Sequence, residues 1–200
     1  MPERAGFAAN RSPPFVLASG SPRRRWLLEK LGVPFEVLPV PIDECARAGE
    51  PPADFAQRMA DEKAAAALPL RSGSWLLTAD TVVALGDLPL GKPRDAGEAT
   101  TMLQRLSGRE HIVYTGLTLL RPGGEPAART VVATKVTFRP LSADEIRAYI
   151  ATGEPFDRAG AYAIQGEGAH LVDRIEGSYT NVIGLPLPEV AAWLRACWSS

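Results

Sequence analysis

Three consecutive arginines, Arg23, Arg24 and Arg25, follow Ser19-Gly20-Ser21-Pro22 where a short apolar run gives way to a helix. Phe15-Val16-Leu17 reads as a buried strand, Gly20 permits a tight turn, Ser21 can cap, and Pro22 suits the first helical position. Leu27, Leu28 and Leu31 give the helix an apolar stripe, and Gly32 ends it. A helix N-terminus already carries partial positive charge, so each first-turn arginine costs about 0.3–1 kcal/mol. A charge-assisted hydrogen bond to an anion returns about 1.5–3 kcal/mol, which makes a phosphate group the natural occupant. A basic surface turn whose arginines stay in water is the other reading of this segment.

The second chemical signal is Asp80, a carboxylate interrupting the apolar run from Trp75 to Leu85. Burying it ionised costs several kcal/mol unless it pairs with a cation, accepts several hydrogen bonds or holds a metal. It could equally satisfy backbone donors at a strand bend. Lys92, between Gly91 and Pro93, has room around its side chain, and Asp43-Glu44 could offer oxygens to a hard cation, although both fit ordinary loops. Lys63 sits among Ala64 to Ala67, small neighbours that allow close approach, or it simply covers a helix surface. Gln165, flanked by Gly166 and Gly168, could present its amide to a planar base edge or belong to a polar loop.

The elements that must position these groups alternate between strand-like and helix-like, the pattern of an α/β chain. Phe35–Pro39 is extended, Pro51-Pro52 and then Asp54 with Gln57 mark the start of a helix packed as far as Leu68, and Trp75–Leu85 is a long strand. Asp95 with Glu98 caps a helix that stops at Ser107-Gly108. Ile112–Leu120 and Thr130–Phe138, joined through Pro-Gly-Gly, form an antiparallel hairpin. Ser142 and Glu145 cap a helix ending near Gly153. Tyr162–Ile164, His170–Ile175 and Thr180–Leu187 read as short strands, and a last helix starts at Pro188.

Composition narrows the function. With 200 residues, 46% of them hydrophobic and a net charge of −1, the chain can build one substantial domain over residues 15–200, preceded by a loose extension over residues 1–14. The positive charge is local, which argues for no nucleic-acid partner, and no apolar run reaches membrane-spanning length, so no membrane association is expected. Two distant cysteines, Cys45 and Cys197, indicate neither a disulfide framework nor a zinc site and fit a reducing, cytoplasmic setting.

Taken together, the clustered cations, the interrupting acid, the further acids and the amide among glycines are the equipment for hydrolysing a nucleotide phosphate. From Phe15 to about Leu194 the chain resembles the Maf family of nucleoside triphosphate pyrophosphatases. The motifs that carry the resemblance are Leu17-Ala18-Ser19-Gly20-Ser21-Pro22-Arg23-Arg24, Ile42-Asp43-Glu44, Glu62-Lys63-Ala64, Ala79-Asp80-Thr81-Val82-Val83 and Gly91-Lys92-Pro93-Arg94-Asp95, followed by Gly160–Gly166 and Ile175–Pro186. The resemblance implies a mixed α/β fold of the inosine triphosphate pyrophosphatase type, an elongated central sheet with a cleft between two lobes, and frequently a homodimer.

It also implies roles: Asp80 as proton acceptor, with Glu44, Lys63 and Lys92 in a catalytic cluster, and Ser19, Arg23 and Arg24 gripping phosphates. The mechanism these groups suggest is metal-assisted, with Glu44 and Asp80 as candidate ligands of a divalent cation, Mg²⁺ or Mn²⁺, and Asp80 either taking the water's proton directly or helping to hold the metal. The Ala161-Tyr162-Ala163-Ile164-Gln165-Gly166 form resembles the branch acting on dTTP and UTP, with Arg23, Thr81 and Gln165 at the base-selecting positions. Asp61, where relatives often carry arginine, and Ala163, in place of a common glycine, depart from the pattern. A different base preference, for modified nucleotides, and a non-enzymatic regulator of cell division that binds nucleotide or nucleic acid are the rival readings.

Overall fold

The computed structural model describes residues 14–198, so the extension expected over residues 1–14 lies outside the described residues except for Pro14. In chain order the elements are β1 (Phe15–Leu17), α1 (Pro22–Glu29), β2 (Glu36–Val37), α2 (Pro52–Ala67), β3 (Trp75–Leu85), β4 (Leu88–Leu90), α3 (Ala96–Leu106), β5 (Glu110–Leu120), β6 (Pro126–Phe138), α4 (Ala143–Ala151), β7 (Val172–Glu176), α5 (Tyr179–Ile183) and α6 (Leu187–Trp198). One seven-stranded mixed sheet runs β2-β1-β3-β5-β6-β7, with β4 added to β3. The α/β reading holds. β1 lies parallel between β2 and β3, whereas β3, β5, β6 and β7 are successively antiparallel. Among the described residues, no helix is long and apolar enough to cross a membrane.

The strand period of two sorts the core into two layers. Leu77, Ala79 and Val83 of β3 pack with α1, α3, α4, α5 and α6 on one face. Leu76 and Val82 face the other way, against α2. Because helices cover β3 on both faces, its sequence reads as a continuous apolar run rather than an alternating one. Asp80 shares the parity of Leu76 and Val82 and therefore points towards α2.

Three local expectations are corrected. Tyr162–Ile164 is not a strand: a 3-10 turn at Ala159–Ala161, with Gly160 at φ +69°, leads into an irregular segment. Thr180–Leu187 is not a strand either. Ser178 caps α5 there, and the Asn181 amide donates to the Val113 carbonyl and to Thr134 Oγ1, both at 2.9 Å, which fixes a helical turn despite its β-branched residues. Asp54 does not cap α2, which starts two residues earlier at Pro52. Gln57 turns inward, its amide donating to Asp61 and Thr118 at 2.9 Å. The short strand β4 went unread because three residues containing Pro89 carry no alternation.

His111 of β5 is 1% exposed, with Nε2 at 2.8 Å from the Tyr162 hydroxyl and, among the described residues, no hydrogen-bond partner at Nδ1. Burial lowers its pKa to about 4. Between there and the ordinary value near 6.5 the unfolded chain binds a proton that the folded chain refuses, so stability is full above that range and falls as pH drops through it. The expected loss is about 3 kcal/mol by pH 4. Urea midpoints measured from pH 8 to pH 4.5 should fall more steeply for the native chain than for His111→Gln; parallel slopes would count against this assignment.

Candidate active site

The cleft exists because β3 is longer than its neighbour. β1 pairs only with Trp75–Leu77, and β4 pairs only with Val83–Leu85. Between them Thr78–Val82 is paired to β5 on one edge and to no described strand on the other. A cavity of about 530 Å³ opens along that edge. Ser19, Arg23, Arg24, Glu44, Lys63, Asp80, Thr81, Lys92 and Gln165 all line it, whereas Arg25 and Asp43, also singled out from sequence, do not; Arg25 pairs with Glu29 on the surface of α1. The cavity lies beyond the carboxyl end of β1, the end of the strand at which open α/β sheets bind ligands.

Asp80 and Lys63 meet because α2 lies close on the sheet. At Gly116 of β5 a Cβ would come 2.3 Å from the Ala56 carbonyl oxygen, so only glycine admits the helix at this distance. The Thr78 hydroxyl donates to the Ala60 carbonyl at 2.8 Å, pinning strand to helix. Three residues along the helix is about 4.5 Å and two along the strand about 6.6 Å, which sets Lys63 over Asp80. Lys63 Nζ donates to Asp80 Oδ1 and to Glu44 Oε1, each at 2.5 Å. Lys63 is 6% exposed and Asp80 8%, so the lysine is a buried counter-ion and not a surface cover.

The two acids are driven apart in proton affinity. Burial raises Asp80, with the Glu44 charge adding to the rise, and Lys63 and Arg24 offset this only in part. Burial also pushes Glu44 up, but the Lys63 hydrogen bond and the charges of Lys63, Lys92 and Arg24 outweigh it and leave Glu44 below its ordinary value. Opposite displacements of neighbouring carboxyls separate an acid that exchanges protons from one that stays ionised.

Thr81 points to the other face of β3, and the cleft wraps round the open edge to reach it. Arg24 is largely committed there. Its Nε donates to the Gly184 carbonyl at 2.8 Å, Nη1 to Ser19 Oγ at 3.3 Å and Nη2 to Thr81 Oγ1 at 3.1 Å. Burial lowers its guanidinium from the ordinary value, opposed by Asp80. Arg23 makes no hydrogen bond or ion pair among the described residues, and burial lowers it against the pull of Asp157 and Glu154. Lys92 pairs at 3.1 Å with Asp157, both side chains exposed at the cleft rim. Gln165 is exposed.

Sequence reading missed the group that holds Glu44 in place. Residues 38–51 form no strand or helix, so the Glu44 loop needs side-chain anchors. Arg58 of α2 supplies them, donating to both Glu50 carboxylate oxygens at 2.6 Å, to the Cys45 carbonyl at 2.9 Å and to Glu62 at 2.9 Å. The i,i+4 spacing of Arg58 and Glu62 was visible, but the Glu50 partner follows only from the chain's return path. Asp61 stays off the cleft, accepting from Thr118 at 2.6 Å and pairing with Arg129.

Glu44 and Asp80 converge on one point, and each uses a single oxygen on Lys63. Among the described residues no three His, Cys, Asp or Glu side chains gather as a ligand set. Two carboxylates completed by substrate phosphates and water match the oxygen shell that Mg²⁺ prefers, so the donor chemistry fits an ion arriving with its substrate better than a protein-only cage.

A buried lysine joins one buried and one exposed carboxylate in a cleft that cations also line, at the end of β1 of an α/β sheet. The profile described as Maf-like protein matches residues 14–197, and the chain belongs to that family. It is 54% identical to a dTTP/UTP pyrophosphatase of Myxococcus xanthus over 90% of each chain, and 52% identical to one of Geobacter sp. strain M21 over 90% of this chain and 93% of the relative. A solved structure of a nucleoside-triphosphatase, a dITP/XTP pyrophosphatase from Mycobacterium abscessus, aligns with a TM-score of 0.41 at 18% identity over 70% of this chain and 95% of that one.

Removing Lys63 leaves Asp80 buried without its counter-ion. Lys63→Met should destabilise the fold by about 3–5 kcal/mol at pH 8. Because the uncompensated Asp80 is stable only when protonated, the deficit should shrink as pH falls towards 5. Chemical denaturation of both proteins at the two pH values checks this, and a deficit independent of pH would show that Lys63 contributes by packing alone.

Proposed function

We propose that this protein is a nucleoside triphosphate pyrophosphatase acting on dTTP and UTP, with water attacking the α-phosphorus to give a nucleoside monophosphate and pyrophosphate. The observation that carries the reading is the Lys63-bridged Asp80–Glu44 pair on the floor of a cleft whose rim holds Arg23 and Lys92. The family membership and the named activity of the relatives support the substrate class.

In this mechanism the Asp80 carboxylate accepts the proton of the attacking water. Its raised proton affinity and its seat at the open edge of β3 suit that role. The new P–O bond forms as the α–β bridging bond breaks, and the bond's electron pair leaves with pyrophosphate. Lys92 and Arg23 receive that growing charge, with Lys92 exchanging Asp157 for phosphate oxygens. Arg24 and Lys63, already bonded to protein partners, keep the two walls in place, which leaves Arg23 and Lys92 as the cations that take up the departing charge. Glu44 and Asp80 are the residues that would hold Mg²⁺ or Mn²⁺, which when bound supplies charge neutralisation to the phosphate oxygens and polarises water. At the rim, the Gln165 amide offers one donor and one acceptor, the complement of O4 and N3–H on uracil and thymine.

A panel of standard and modified nucleoside triphosphates, assayed with Mg²⁺, with Mn²⁺ and after chelation, tests the reading. Monophosphate plus pyrophosphate from UTP and dTTP is expected, with loss of turnover on chelation. Release of orthophosphate, or tight binding without product, would overturn it. Asp80→Asn should keep nucleotide binding and lose at least about 100-fold in turnover, the usual contribution of a positioned base.

A further inference from the structure

Gln165 sits in a stretch, residues 162–166, without strand or α-helix, so its position depends on whatever its neighbours' backbone groups bind. Two side chains bind them, one buried and one half-buried. Tyr149 of α4 is 2% exposed, and its hydroxyl accepts from the Ala163 amide at 3.1 Å while donating to Glu154 Oε2 at 2.8 Å. Glu154 Oε2 also accepts from the Gly168 amide at 2.9 Å, and Oε1 accepts from the Glu167 amide at 3.3 Å. The segment is held two residues before Gln165 and again two and three residues after it. The glycines follow from the same contact: a Cβ on Gly166 would fall 1.6 Å from Glu154 Oε1, and one on Gly168 would lie 2.6 Å from the Tyr149 hydroxyl oxygen. Burial and the adjacent Glu154 raise the Tyr149 phenol far above its ordinary value, so it stays a donor throughout the working pH range.

We propose that Tyr149 and Glu154 are positioning residues for base discrimination, a bracket that sets where the Gln165 amide stands at the cleft mouth. Neither lines the cleft; Tyr149 bonds the backbone at Ala163 and Glu154 bonds it at Glu167 and Gly168, while the Glu154 charge also bears on Arg23, so Tyr149→Phe is the cleaner probe of the bracket. The inference rests on the reading that Gln165 meets the base edge. A hydrogen bond to a base edge is directional, and an amide displaced by a fraction of an ångström loses it. The acid pair stands on a different element, pinned by α2, and a loosened bracket leaves it untouched. Selectivity and turnover are thereby held by separate supports.

The test measures kcat and KM for UTP and CTP on Tyr149→Phe, Glu154→Gln and Gln165→Ala, with melting temperatures alongside. Tyr149→Phe deletes the bridging oxygen at nearly constant shape. It should lower the UTP-to-CTP ratio of kcat/KM by about three- to tenfold, the worth of one hydrogen bond, while kcat on UTP stays within about twofold. Glu154→Gln puts an amide NH₂ against backbone donors and should shift the ratio in the same direction, which covers the case of a poorly folding Tyr149 variant. Combining Tyr149→Phe with Gln165→Ala should cost no more selectivity than Gln165→Ala alone, because both act on one contact. If Gln165→Ala shifts the ratio and both bracket variants leave it unchanged, the bracket is purely structural and the inference fails alone. If Gln165→Ala itself leaves the ratio unchanged, the base-reading role fails and the bracket's role falls with it.

Discussion

One ammonium group between two carboxylates organises this molecule. Lys63 is buried, and so is Asp80. Each is a counter-ion to the other, because an unpaired buried charge costs several kcal/mol. Everything that sets their separation is therefore under constraint. Gly116 lacks a side chain so that α2 can touch β5, Thr78 ties the helix to the strand, and Arg58 reaches out of α2 to grip the loop that delivers Glu44. The result is an acid pair with unequal proton affinities, held by helix, strand and loop together.

The cleft is a consequence of strand length. β1 stops at Leu17 while β3 continues to Leu85, and β4 resumes the pairing only at Val83. The open edge in between lets a ligand reach both faces of one strand: Asp80 on the α2 side, Thr81 on the side of α1 and α5. Residues adjacent in sequence and opposite in orientation so serve one cavity. The arginine turn at the end of β1 closes one end. Its two leading arginines divide the work, Arg24 locking Ser19, Thr81 and Gly184 together while Arg23 remains available to an anion.

Much of this was legible in the chain. The long strand around Asp80 was read with its observed limits, because helices on both faces make it a continuous apolar run. The helix caps at Ser21, Asp95 and Ser142 follow local chemistry that needs no distant partner. The segments 162–164 and 180–187, which read as strands, are those held by remote partners: the Tyr149 hydroxyl accepts from the Ala163 backbone amide in one, and the Asn181 side-chain amide donates to the Val113 carbonyl and to Thr134 Oγ1 in the other. Propensity is a weak prior there, and tertiary hydrogen bonds override it.

The chain by itself determined which side chains carry chemistry and which elements bear them, since residue type, periodicity and capping are local properties. Their meeting was decided only by tertiary structure. No spacing shows that Lys63 lies over Asp80, that Glu50 anchors Arg58, or that Arg24 is committed to its own protein. Each depends on how closely a helix approaches a sheet and where a loop returns. Those distances emerge from packing summed over the whole core, and a charge becomes a counter-ion, a strut or a ligand clamp according to what that packing leaves beside it.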